Sequence, residues 1–105
     1  MKYRVERTDT ADSLIHKIVL FIAENFGNDV AFEKLNYLEE SIMNLEDNPY
    51  SGVEPRYNIL KRQGYLVLVL EKDLVFYKVN DEEKIVTIYA VIDQRQDYLS
   101  IIRGL

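Results

Sequence analysis

Cysteine is absent from all 105 residues, which excludes a disulfide framework and any thiolate metal site and suits a reducing compartment. Histidine occurs once, at His16, and proline twice, at Pro49 and Pro55. No flexible linker, internal repeat or low-complexity stretch divides the chain, so a single domain spanning 1–105 is expected. No apolar run approaches the ~20 residues needed to cross a bilayer. The opening Lys2-Tyr3-Arg4-Val5-Glu6-Arg7 is charged from its first residue and lacks the apolar stretch of a secretory signal. These absences predict a cytoplasmic protein with no membrane contact; no cofactor is expected.

Apolar residues make up 48% of the chain, enough for one core but, at this length, a marginally stable one. The net charge of −5 hides an asymmetry. Residues 1–55 hold 5 Lys/Arg against 11 Asp/Glu, whereas residues 56–105 hold 8 against 7. Tight binding to naked nucleic acid exchanges phosphate counterions against a basic surface, so this balance restricts any such contact to a local patch or a larger complex.

Periodicity predicts an α+β domain. Tyr3 and Val5 alternate with Lys2, Arg4 and Glu6 as in a half-buried N-terminal strand. Thr8-Asp9-Thr10 offers a helix cap, and Ala11, Leu14, Ile15, Ile18 and Ile22 recur at helical spacing until Gly27 stops the helix. Asn28 or Asp29 can cap a second helix with a stripe of Ala31, Leu35, Leu38, Ile42 and Leu45, which makes a helical hairpin. Asn48 to Pro55 reads as an ordered loop. Four further strands are expected at 56–62, 65–70, 74–79 and 85–92, joined by turns at Gln63-Gly64, 71–73 and 80–84, as an antiparallel meander. Tyr65 to Leu70 shows no polar alternation, so it is expected at the centre of the sheet, covered on both faces. A short C-terminal helix, about 96–102, packs back through Leu99 and Ile102.

The order strand, helical hairpin, Asn48-Pro49 with Gly52, Gly64-Tyr65, Val75-Phe76-Tyr77-Lys78-Val79, Val86-Thr87-Ile88-Tyr89 and a closing Arg95-Gln96-Asp97-Tyr98 resembles the RelE/ParE superfamily of type II toxin–antitoxin toxins. The resemblance covers almost the whole chain. It implies a small toxin held inactive by a cognate antitoxin, whose helix or extended tail wraps the sheet and helices. It also implies one of two activities: metal-independent cleavage of messenger RNA on the ribosome, or poisoning of DNA gyrase in the ParE branch. In the ribonuclease branch a ribose 2′-hydroxyl attacks the adjacent phosphate, which calls for a proton acceptor, cations for the phosphorane charge and an acid near the leaving oxygen. Carried over by residue, Arg95 and Tyr98 are the catalytic candidates, while Arg56, Lys61 and Arg62 would bind RNA phosphate from one strand. The family's Gly-Tyr-Arg reads Gly64-Tyr65-Leu66 here, the arginine before the last Val is Ala90, and the histidine at that strand's end is Asp93.

Each candidate also has a plainer reading. Arg95 beside Asp93 and Asp97 can be a surface ion pair, Tyr98 a cap on the core, and Lys61 and Arg62 solvated charges before a turn. His16 titrates near neutrality but sits early in the first helix between Ile15 and Lys17, where a structural or surface role is expected. The ribonuclease reading is the first expectation. A ParE-like gyrase poison, or a non-catalytic member that only binds its antitoxin, is the alternative.

Overall fold

The computed structural model describes residues 2–95 and 98–103, the last segment with the side chains of Leu99, Ile101 and Ile102. The elements are β1 (Arg4–Arg7), α1 (Asp9–Phe26), α2 (Asn28–Met43), a 3-10 turn (Asn44–Glu46), α3 (Asn58–Arg62), β2 (Leu66–Val69), β3 (Asp73–Asn80), β4 (Ile85–Asp93) and α4 (Tyr98–Arg103). None of the described helices is long and apolar enough to cross a membrane.

The hairpin forms as its stripes require. Thr8 caps α1 by accepting from the Ala11 amide at 3.1 Å. Gly27, at φ +94°, ends α1 and begins α2, and neither Asn28 nor Asp29 serves as the cap. Ala11 and Ile15 from α1, with Leu38 and Ile42 from α2 and Leu45 just beyond it, are buried against Val75, Tyr77, Val86, Ile88 and Val91 of the sheet.

The sheet differs from the expected four-stranded meander. Only β2, β3 and β4 run antiparallel in succession; β1 lies parallel beside β4, giving a mixed sheet of order β1-β4-β3-β2. The segment 56–62, expected as a strand, instead contains α3, whose Leu60 is fully buried. Gly64, at φ +90°, closes α3: its amide donates to the Lys61 carbonyl and that of Tyr65 to the Leu60 carbonyl, at 3.0 and 3.2 Å. That pair of bonds is a Schellman helix stop, and a glycine required there reads in sequence much like one required by a hairpin turn.

A second correction concerns 65–70. β2 is an edge strand; among the described residues its outer side pairs with Val53, in a two-bond bridge to Val67. Its unbroken apolar character comes from cover on both faces. Leu66 and Leu68 pack on the helical-hairpin side, while Tyr65 and Val67 join Leu60, Phe76, Ala90, Ile92 and Ile102 in a second core on the outer face.

One irregularity keeps the two cores separate. Between Phe76 and Tyr77 the register with β4 steps, so that Phe76 faces Ala90, Tyr77 faces Ile88, and Tyr89 is the extra residue of a β-bulge. Val75 with Val91 and Tyr77 with Ile88 then point inward, and Leu74 with Ile92 and Phe76 with Ala90 point outward. Without the bulge one half of β4 would present the wrong face.

The loop 48–55 is held from below. The Tyr77 hydroxyl donates to the Pro49 carbonyl at 2.8 Å and accepts from the Gly52 amide at 3.0 Å. Tyr50 and Tyr3 both donate to Asp81 in the β3–β4 turn. Those two phenols hold the Asp81 carboxyl below its usual range, and the hydrogen bond to Asp81 pushes Tyr50 up to about 12.

Gly52 has no room for a side chain: an added Cβ would lie 2.6 Å from the Tyr77 hydroxyl and 2.8 Å from the Val67 carbonyl. Gly52→Ala is expected to destabilise the domain by about 1–3 kcal/mol. Combining it with Tyr77→Phe should not restore stability, because the Val67 carbonyl remains in the way. Urea unfolding of the single and double variants checks this, and wild-type stability of Gly52→Ala would refute it.

Candidate functional site

The outer face of the sheet is covered only in part. Where β2 and the start of β3 emerge from under α3 and α4, a groove of about 310 Å³ opens between the loop 53–56 and the sheet. Its walls are Val53, Pro55, Val67, Val69 and Leu74, with Glu54, Arg56 and Gln94 at the polar positions. Apolar walls with a few convergent polar groups are the usual make-up of a binding groove.

Arg95 stands just beyond this groove, in the turn after β4. Its Nε and Nη2 donate to the two Asp93 carboxylate oxygens, each at 3.0 Å, and its backbone amide donates to Oδ1 at 2.8 Å. The guanidinium side chain is 90% exposed. This fork holds the Asp93 carboxyl below its usual range, and Asp93 in turn raises the already high Arg95 value. Asp93 is thus an ionised, weakly basic carboxylate at neutral pH, poorly suited to take a proton from a hydroxyl.

The other sequence candidates are dispersed. Arg56 lies before α3 with its guanidinium 5.4 Å from the Tyr57 ring centroid, and among the candidates whose side chains are described it alone lines the groove. Lys61 is on α3, 3.1 Å from Glu54. Arg62 closes α3 and is exposed. The expectation that Arg56, Lys61 and Arg62 lie on one strand fails because 58–62 is helical. Tyr98 begins α4, but its side chain lies outside the described residues, as do Gln96 and Asp97. His16 is exposed on α1, and no group of three metal-ligating side chains is assembled among the described residues.

The sequence did not point to the groups that position this end of the sheet. Lys34 on α2 forms an ion pair with Asp73, which is buried at the start of β3 directly opposite Asp93. Gln94 donates through Nε2 to the Leu70 and Asp73 carbonyls, and the Glu71 amide donates to the Tyr37 hydroxyl at 3.2 Å. α2, the β2–β3 turn and the segment carrying Arg95 are thereby tied together. No local pattern signals a pair separated by 39 residues. On the same outer face Lys78 is held over the rings of Tyr65 and Tyr89, at 4.5 and 5.2 Å from their centroids.

Solved structures with this arrangement define the class. A chain of the chromosomal ParDE toxin–antitoxin system from P. aeruginosa superposes with a TM-score of 0.73 at 17% identity, covering 88% of this chain and 96% of that one. A chain of the RelBE2 toxin–antitoxin complex from Mycobacterium tuberculosis gives 0.67 at 22% identity, covering 90% and 100%. A mutant of the E. coli toxin RelE in the free state gives 0.63 at 16% identity over the full length of both. At these identities the likeness is one of fold, the RelE/ParE toxin fold. The family model for the ParE toxin of the type II toxin–antitoxin system, parDE, matches residues 5–98, and the chain belongs to that family. No curated protein matches it in sequence.

The Asp93–Arg95 fork makes a pH prediction. A depressed folded-state value means that the bond contributes its stability above the ordinary carboxylate range, near pH 4, and loses it as pH falls through the lower folded value. The Arg95 amide and Nε resonances should therefore move together with an apparent midpoint below that of a free aspartate in an NMR titration. Asp93→Asn should abolish that transition. A midpoint at the ordinary value would show that the fork does not persist in solution.

Proposed function

We propose that this toxin is controlled by a cognate antitoxin and acts by gripping a protein target, as in the gyrase-directed branch of its superfamily, rather than by cutting messenger RNA. The observation that carries this reading is the lining of the groove: five apolar side chains, one arginine and one glutamine beside one glutamate. A polyanion favours a surface that exchanges many counterions, whereas this groove favours an apolar side chain with a polar neighbour. The family match supports the same direction, as does the state of the nearby titrating groups. Asp93 is a weak base engaged by Arg95, and burial pushes the Tyr65 phenol up, away from the neutral range where general acid–base groups work well. Arg95, committed to a carboxylate, is a poorer phosphate clamp than its position in the sequence suggests. The ribosome and gyrase are both cytosolic targets, so the proposed location is the same for either activity.

Co-expression with a neighbouring antitoxin gene should yield a complex that purifies as one species and relieves growth inhibition. The released toxin should inhibit plasmid supercoiling by gyrase and produce no cleavage of messenger RNA in a reconstituted translation system. Val69→Glu, which places a carboxylate on the exposed groove wall, should weaken gyrase inhibition by roughly tenfold or more, the loss expected when an apolar contact worth about 1.4 kcal/mol is removed. Arg95→Ala should leave it largely intact. Cleavage seen only with translating ribosomes and lost in Arg95→Ala would overturn the proposal in favour of the ribonuclease reading, and harmless expression without an antitoxin would overturn both.

A further inference from the structure

Two side chains of α2 reach the β2–β3 turn. Lys34 pairs with Asp73, whose side chain is 3% exposed, and the Tyr37 hydroxyl accepts from the Glu71 amide. The two lie three residues apart on one face of α2, and the Lys34 ammonium stands 5.9 Å from the Tyr37 ring centroid. The turn is therefore held at two points from the hairpin side of the sheet.

What depends on that turn lies on the other side. Successive strand residues point to opposite faces, so with the Asp73 carboxylate toward α2 the Leu74 side chain joins the groove wall. The Asp73 carbonyl accepts from the Leu70 amide at 2.9 Å and from Gln94 Nε2 at 3.5 Å, and the Lys72 carbonyl accepts from the Gln94 amide at 3.0 Å. Val69, just before the turn, lines the groove as well. The placement of Val69, Leu74 and Gln94 thus follows that of residues 70–73.

An ion pair is not the firmest way to hold a helix on a sheet. Apolar side chains of similar size would do so at least as well, since both charges here are taken largely out of water. What the pair supplies is a defined position, because a carboxylate so little exposed is satisfied at one place, beside the Lys34 ammonium. Without that cation Asp73 must take up a proton or draw the turn toward water, and the carbonyl that holds Gln94 is no longer fixed.

We propose that Lys34 and Tyr37 are positioning residues for the groove, fixing through the β2–β3 turn the wall made by Val69, Leu74 and Gln94. The proposal rests on the groove being the site that grips the target, and the geometry of the wall can be tested apart from it.

The test uses the full-length toxin released from its antitoxin complex. Lys34→Met should raise the concentration needed to inhibit gyrase supercoiling by about fivefold or more, and Lys34→Arg, which keeps the charge, should stay within about twofold of wild type. Tyr37→Phe, which removes only the hydroxyl, should show a smaller loss. Lys34→Met with Asp73→Leu replaces the pair by apolar side chains and should recover most of the stability in urea without recovering inhibition. Ile15→Ala opens a cavity under α1 and should lose stability, yet inhibit like wild type under conditions where it is folded. In NMR spectra of the free toxin, the Val69 and Leu74 methyls and the Gln94 side-chain amide should shift in Lys34→Met and return in Lys34→Arg. Should Lys34→Met fail to fold, the double variant and Tyr37→Phe carry the same readouts. Inhibition that returns with stability in the double variant, or a matching loss in Ile15→Ala, would leave Lys34 as a stabilising residue only and overturn the proposal. So would unchanged groove resonances in Lys34→Met. If the wild type does not inhibit gyrase, the functional reading falls, while the resonances still decide whether α2 sets the groove wall.

Discussion

Three consecutive residues in β3, Val75, Phe76 and Tyr77, are each fully buried. Successive strand residues point to opposite faces, so burying all three requires cover on both sides of the sheet. A chain of 105 residues has little material for two layers of cover. The long hairpin supplies one layer, and the other is assembled from short pieces, chiefly α3 and α4. The bulge at Tyr89 lets β4 serve both layers without changing its hydrophobic residues. The outer cover stops short at β2, and the groove is where it stops.

The same economy explains how α2 can influence a segment it does not adjoin in sequence. Asp73 and Asp93 face one another across β3 and β4, a like-charge pair that would be unfavourable if left alone. Lys34 reaches down from α2 to Asp73, and Arg95 takes Asp93 from the solvent side. Two carboxylates at one end of the sheet are thus balanced by cations of quite different standing, one partly buried and one exposed. An exposed pair is screened and contributes little, whereas removing one partner of a buried pair leaves an uncompensated charge. Lys34 and Asp73 are therefore structural, whereas the exposed pair of Arg95 with Asp93 contributes little to the fold.

The sequence revealed the parts governed by local pattern. The stripes of both helices, the role of Gly27, the anchoring faces of Tyr3 and Val5 and the β3–β4 turn follow from periodicity and from residues with a single backbone use. It misled where one signal has two physical solutions. Gly64 after a charged pair suits a hairpin turn or a helix stop, and only the burial of Leu60 between Ile59 and Lys61 selects the helix. An all-apolar strand means cover on both faces, which a central position usually provides, yet here β2 receives it at the sheet's edge. The parallel pairing of β1 with β4 depends on contacts some 80 residues apart and leaves no trace in either strand alone. Among the site residues, the sequence placed Arg95 at the end of the last strand and offered Asp93 and Asp97 as ion-pair partners, and Asp93 occupies both arms of its fork.

Charge distribution links the fold to the kind of partner that suits it. The acidic excess belongs to residues 1–55, and residues 35–55 carry Glu39, Glu40, Glu46, Asp47 and Glu54 with no lysine or arginine. In the second half several of the cations are drawn into local arrangements: Arg95 with Asp93, Lys61 with Glu54, Arg56 beside Tyr57 and Lys78 beside two tyrosines. A surface meant for phosphate keeps its guanidinium and ammonium groups available, because each one already engaged must be released before it can neutralise a new anion. The groove beside β2 is walled mainly by apolar side chains, while Arg62 and Lys72 stand exposed outside it. That groove, with Arg56 and Gln94 at its polar positions, suits side chains of another protein better than a nucleic-acid backbone.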